Sequence, residues 1–128
     1  MIKEKNFISA VIYVHNAEER IGAFLTTIVN VLEENFEHSE VICVNDRSGD
    51  NSAEIIRKVS NSAKTTSISL LNMSYYHGIE AAMNAGVELS IGDFVFEFDS
   101  TFMDYHKTEI MNTYRHSLKG YDIVSASS

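Results

Sequence analysis

The sequence predicts an α/β fold, an open and mostly parallel sheet with helices on both faces. Three observations carry that expectation. Short runs rich in Val, Ile and Phe alternate with stretches whose apolar residues recur at helical spacing. The connections between them are short and made of Asn, Asp, Ser and Gly. The first apolar run is continuous rather than alternating, the pattern of a strand buried on both faces, as parallel sheets require.

The elements follow in order. "FISAVIYV", residues 7–14, is the first strand. Asn16 offers an N-cap, with Glu18 and Glu19 in the first turn, where the helix dipole favours acids. Ile21, Phe24, Leu25, Ile28, Leu32 and Phe36 then repeat at helical spacing, which predicts an amphipathic helix over about 17–34. "EVICVN", residues 40–45, is the second strand, and "DRSGDNS" is a loop in which Asp50 caps or turns. A helix over about 52–60 turns Ile55, Ile56 and Val59 inward. "TSISLLN", residues 66–72, is the third strand. "MSYYHG" leads into a helix over about 79–89, whose Ala81, Ala82, Ala85 and Gly86 allow close approach to a sheet. "FVFEF", residues 94–98, is the fourth strand. A helix over about 107–118 with Gly120 as its C′ residue follows, and "YDIVSA" begins a fifth strand. One domain accounts for residues 1–128, and a chain that stops on a strand reads as a piece of a longer protein.

The formal net charge is -8, and the ten basic residues form no cluster. Such a surface repels phosphate backbones, so no nucleic-acid partner is expected. The single cysteine, Cys43, lies inside "VICV" and reads as a small core residue of a protein from a reducing compartment. No signal-peptide h-region and no apolar run of the ~18 residues a membrane span needs is present. The chain reads as cytoplasmic, touching a membrane only through parts outside it. A homodimer is left open. His15, His77 and His106 lack zinc-ligand spacing. The glycine fingerprint of dinucleotide folds, the P-loop and the nucleophile elbow are all missing.

In open parallel sheets, ligands bind beyond the carboxyl ends of the strands. The residues there are His15 and Asn16, then Asn45, Asp46, Arg47 and Ser48, then Asn72, His77 and Gly78, then Asp99, Ser100 and Thr101. Asp99 stands at the mouth of a buried strand. A carboxylate in that place either holds a hard divalent cation, Mg²⁺ or Mn²⁺, or serves as a turn or cap residue. Asp104 precedes the last predicted helix as an N-cap would. Asp46 is either a turn residue or an acceptor for a ring N–H of a ligand base. Tyr75 and Tyr76 either stack on a ring or pack on their own domain.

Four segments, in this order, resemble the N-terminal half of a family 2 glycosyltransferase of the GT-A type. "SAVIYVHNAEE" looks like the opening strand S-V-V-I-P-x-Y-N-E-E, and "EVICVNDRSGDNSAEII" like E-I-I-V-V-D-D-G-S-x-D-x-T. "YYHGIEAAMNAGVELSIGDFVFEFD" matches the N-x-G-x-x-x-A-x-N-x-G segment leading into the D-x-D strand, and "GYDIVSAS" looks like the strand after it. The resemblance implies a Rossmann-like nucleotide-diphospho-sugar transferase fold. It implies hexosyl transfer from a nucleotide-sugar donor to a saccharide or lipid-linked acceptor, in cell-surface polysaccharide or lipid-linked glycan synthesis at the inner face of the membrane. The implied nucleotide-sugar-binding set is Asn16, Glu18, Asp46, Ser48, Gly78, Asn84 and Asp99. Asp46 would contact the base, and Asn16 and Glu18 would lie beside the nucleotide. Gly78, Ala82 and Asn84 would begin the helix that closes over the donor. Asp99 would sit near ribose and the Mg²⁺ or Mn²⁺.

The departures from the pattern are specific. Tyr13 replaces a proline, Asn45 the first Asp of a pair, and Arg47 a glycine. Ile79 stands where a basic residue is common. Thr101 replaces the second Asp of D-x-D, which weakens the cation site unless Asp104 compensates. The implied catalytic base lies beyond residue 128, so this piece is expected to bind donor without robust turnover. A non-catalytic transferase-like module with a degenerate metal site is the competing reading. A phospho-receiver domain, the third, lacks its acid pair after the first strand.

Overall fold

A computed structural model describes residues 4–98 and 123–126. Five strands form one sheet: β1 (Glu4–Val14), β2 (Phe36–Asn45), β3 (Thr66–Asn72), β4 (Phe94–Phe98) and β5 (Ile123–Ala126). Their order is β3-β2-β1-β4-β5, and every pairing is parallel. Three helices alternate with the first four strands: α1 (Ile21–Asn35), α2 (Ser52–Ser62) and α3 (Ile79–Leu89). The predicted helix over 107–118 and the residues Asp99, Thr101, Asp104 and His106 lie outside the described residues.

The pleat sorts the apolar side chains to two faces. Ile8, Ala10, Ile12 and Val14 of β1 join Phe24, Leu25, Ile28 and Leu32 of α1 and Ile56 of α2 in the larger core. Val11 packs instead with Ile42, Val44 and Val95 under Ala82 and Met83 of α3. Helices therefore cover both faces, and the inner stretches Ala10–Ile12 of β1 and Val41–Val44 of β2 are apolar and buried because neither face meets water there. Phe24 meets Phe98 edge to face at 5.6 Å between ring centroids, an arrangement worth roughly 1 kcal/mol beyond the area it buries. Cys43 is fully buried, and burial pushes its thiol up to about 12, so it is an inert core residue.

Two expectations need correction. The first helix starts at Ile21, not near residue 17, and Asn16 does not cap it. Asn16 takes a left-handed backbone (φ 49°), the chain turns over 18–20, and the Asn16 amide serves a neighbouring loop instead. Phe36, which fits the helical period, opens β2. It is fully buried either way, so its spacing alone could not tell which element it ends.

The register levels the strand ends. Val14 pairs with Asn45, and Asn45 with Asn72. Going from β1, the chain adds β2 and β3 on one side and β4 and β5 on the other. The order thus reverses between β1 and β4, the place in an open parallel sheet where ligands bind beyond the carboxyl ends of the strands.

Candidate functional site

The loops after β1, β2 and β3 form a rim at the carboxyl ends of the strands, and hydrogen bonds between them set its shape. Asp46 is fully buried just past the end of β2. Its Oδ1 accepts the His77 backbone N–H at 2.8 Å, and its Oδ2 accepts the Gly78 N–H and the Tyr13 hydroxyl, each at 2.9 Å. A carboxylate without water must be met by donors, and three supply that need. Burial first, then the bond to Asp46, raises the Tyr13 phenol above its ordinary value, so Tyr13 remains the donor. His15 Nδ1 lies 2.7 Å from the Asp46 carbonyl, which only accepts, so that nitrogen carries the proton.

A second set of bonds laces the β1–α1 loop to the β2–α2 loop. Asn16 N–H donates to Ser48 Oγ, and Gly49 N–H donates back to Asn16 Oδ1 at 2.6 Å. Glu18 N–H donates to Asp50, and Asn51 N–H donates back to Glu18 Oε2. Ser52 Oγ accepts the Ala17 N–H and donates to Asp50 Oδ1. Asp50 also accepts the Ser52 N–H, and so turns the chain into α2 as expected. Burial pushes the Asp50 carboxyl up, but these donors outweigh it and hold it below its ordinary range. Asn45 completes the rim: its Nδ2 donates to Asn72 Oδ1, and its Oδ1 accepts from Ser48 N–H and Oγ.

Asn16, Glu18, Asp46, Ser48 and Gly78 therefore converge at one edge. Asn84 stands apart from that hydrogen-bond network. It lines a cleft of about 380 Å³ with Ile79, Glu80 and Met83 of α3 and Glu97 of β4. The first two turns of α3 join this cleft to the Asp46 rim, because Gly78 both donates to Asp46 and precedes Ile79. Glu97 was not anticipated. The signal was there, a lone acid in the strand "FVFEF", on the face that carries Val95 rather than the face of Phe96 and Phe98.

A family model described as glycosyl transferase family 2 matches residues 9–123. The chain belongs to that family. It is 33% identical over 119 residues to an undecaprenyl-phosphate 4-deoxy-4-formamido-L-arabinose transferase of Aeromonas hydrophila subsp. hydrophila, covering 91% of this chain and 35% of the relative. It is 30% identical over 125 residues to the protein of the same description from Pectobacterium carotovorum subsp. carotovorum, covering 97% of this chain and 37% of that one. The chain thus spans about a third of the length of these relatives. A mannosyltransferase of Pyrobaculum calidifontis, solved in complex with GDP-Man and Mn²⁺, shares the fold with a TM-score of 0.74 at 16% identity, over 89% of this chain and 33% of that one. The fold is that of GT-A transferases, as the sequence led us to expect.

Within this family 2 chain, two departures from the common pattern, Tyr13 and Arg47, each make a hydrogen bond that shapes the rim. Tyr13 supplies the third donor to Asp46. Arg47 occupies a left-handed backbone (φ 55°) that suits the glycine of the pattern, and its Nη1 donates to the Ser74 carbonyl at 3.0 Å. Asp46 and Arg47, adjacent in sequence, thereby hold both ends of the segment 74–78. Among the described residues, no helix is long and apolar enough to cross a membrane.

Proposed function

We propose that this family 2 chain supplies the donor-binding part of a glycosyltransferase. In this reading the whole protein moves a sugar from a nucleoside-diphosphate donor to a lipid-linked or saccharide acceptor at the inner face of the membrane. The observation that carries it is the meeting of Asn16, Glu18, Asp46, Ser48 and Gly78 at the carboxyl ends of β1, β2 and β3, beside the point where the strand order reverses. The names of the relatives support a polyprenyl-phosphate acceptor, and the ligands of the mannosyltransferase support a nucleotide-sugar donor.

The described residues include no group of three or more His, Cys, Asp and Glu suited to a metal ion. The cation ligand in this reading is Asp99, which directly follows the last residue of β4, with Asp104 as a second oxygen donor. Asp99 and Asp104 would hold Mg²⁺ or Mn²⁺ there, and the ion would supply charge neutralisation for the leaving diphosphate. The laced loops present the rim already ordered, so donor binding does not have to fix them. The catalytic base belongs to parts of the protein outside residues 1–128.

Thr101, in place of a second acid, favours one alternative: a transferase-like module that binds nucleotide without turnover. Calorimetric titration with UDP, GDP and dTDP, with and without Mn²⁺, tests the main reading. Binding that strengthens with metal supports it, and no binding at millimolar concentration removes it. A large gain in metal-dependent affinity on Thr101→Asp marks the site as degenerate and favours the alternative.

A further inference from the structure

β3 is the outermost strand on one side of the sheet, and among the described residues it pairs only with β2. The Met73 N–H donates to the Asn45 carbonyl at 3.0 Å, so Met73 turns its backbone groups toward β2. That direction alternates from residue to residue along a strand. Ser67, Ser69 and Leu71 therefore face β2 as Met73 does. Ile68, Leu70 and Asn72 aim their N–H and C=O groups outward. At the start of the strand Glu33 takes the Thr66 N–H at 3.0 Å.

Edge strands ordinarily carry a guard against pairing: a lysine, a proline, a bulge or a very short span. β3 carries none of them. It runs for seven residues, Thr66–Asn72, with no charged side chain and no proline. Its register with β2 continues from Ser39–Thr66 to Asn45–Asn72 without a bulge. The charge pattern favours a second copy as the occupant. The chain has a net charge of -8, yet between residues 51 and 79 the single acid Glu54 is set against Arg57, Lys58 and Lys64. Two copies that meet here avoid the acids that dominate the rest of the sequence.

The strand also complements itself. Antiparallel pairing about a two-fold axis at Ser69 sets Ile68 opposite Leu70 of the second copy. Both residues point their backbone groups outward, so they exchange both hydrogen bonds of an antiparallel pair. Their side chains share the face of the larger core and extend it across the axis. Exposed Ser69 meets its own copy at the position without hydrogen bonds, where side chains come closest. We propose that the free edge of β3 is a dimerisation surface, on which a second copy of this chain adds its own β3 antiparallel and joins the two sheets into one. The contact is isologous, the same strand serving on both sides. The edge does this whether or not the rim binds a donor.

Sedimentation equilibrium of the 128-residue chain, and cross-linking through an introduced thiol, test the dimer. Wild type should form a dimer that dissociates on dilution. Ser69→Lys sets two like charges against each other at the axis and should weaken dimerisation about tenfold. Ser69→Thr stays neutral and should dimerise as wild type. Ser67 and Ser69 are exposed, so changes there leave the core intact. Cys43 is fully buried, so a thiol introduced at either serine is the reactive one. Under mild oxidation Ser69→Cys should give a disulfide-linked dimer, and Ser67→Cys, off the axis, should not. Wild type that stays monomeric at millimolar concentration overturns the proposal. A dimer that Ser69→Lys leaves as tight as wild type also overturns it, as does cross-linking of Ser67→Cys as fast as Ser69→Cys.

Discussion

The Tyr13 hydroxyl donates to the Asp46 carboxylate at 2.9 Å, joining the last turn of the pleat in β1 to the first residue past β2. The bond lies at the centre of the site, because the same carboxylate holds the two backbone N–H groups that start α3. Its consequences are measurable. Tyr13→Phe removes one charge-assisted donor and should cost about 2 kcal/mol in urea unfolding. Asp46→Ala leaves His77 and Gly78 N–H groups unpaired and should cost about 3 kcal/mol. Amide exchange at those two residues should speed up more than at core strand positions.

Arg47 offers a separation of backbone strain from side-chain bonding. Its left-handed backbone costs about 1 kcal/mol relative to glycine, and its bond to the Ser74 carbonyl returns a similar amount. Arg47→Gly should therefore leave global stability within about 1 kcal/mol of wild type. Arg47→Ala keeps the strain, loses the bond, and should be less stable than Arg47→Gly. Urea midpoints of the two variants check the order.

Acid stability should depend on a carboxylate far from the site. Burial pushes Glu33 up, but the N–H groups of Thr66, Thr65 and Lys64 outweigh it and hold the carboxyl below its ordinary 4.5. A depressed folded value stabilises the fold above the unfolded value and ceases to do so as pH falls through the folded one. Urea midpoints measured from pH 7 downward should therefore drop below about pH 4.5. Glu33→Gln should be less stable at pH 7 and show a shallower acid limb.

Two glycines test the packing that positions α3 and β4. A Cβ on Gly86 would lie 2.5 Å from Val11 Cγ1 and 2.7 Å from Val44 Cγ2. A Cβ on Gly92 would lie 2.7 Å from the Ser9 backbone nitrogen and 2.9 Å from the Phe7 carbonyl oxygen. Gly86→Ala should cost about 1–3 kcal/mol as valine methyls give way. Gly92→Ala should cost at least as much, since backbone atoms yield less readily. Thermal unfolding of both variants provides the comparison.

The elements with one dominant period were legible. β3, α3 and β4 begin and end where the sequence puts them, because turn residues bound each of them. The first helix was misjudged because "HNAEE" has the chemistry of a cap and first turn, while Asn16 and Glu18 are drawn across to Gly49 and Asn51. That competition between loops is tertiary and leaves no local trace. Strand-end logic picked out the rim residues. It did not reveal that Asp46 is enclosed, since enclosure comes from Tyr13, His77 and Gly78, which are distant in sequence. Tyr13 and Arg47 stood out as departures from the family pattern, but only the coordinates pair each of them with a partner.

A backbone amide NMR titration of the chain with a nucleoside diphosphate and Mg²⁺ decides whether the strand-end rim binds the donor. The shifted signals should cluster at the strand carboxyl ends, at Asn16, Ser48, Gly49, His77 and Gly78. Shifts confined to the opposite edge, around Leu89 and Ile91, would contradict it, as would a spectrum unchanged at saturating nucleotide.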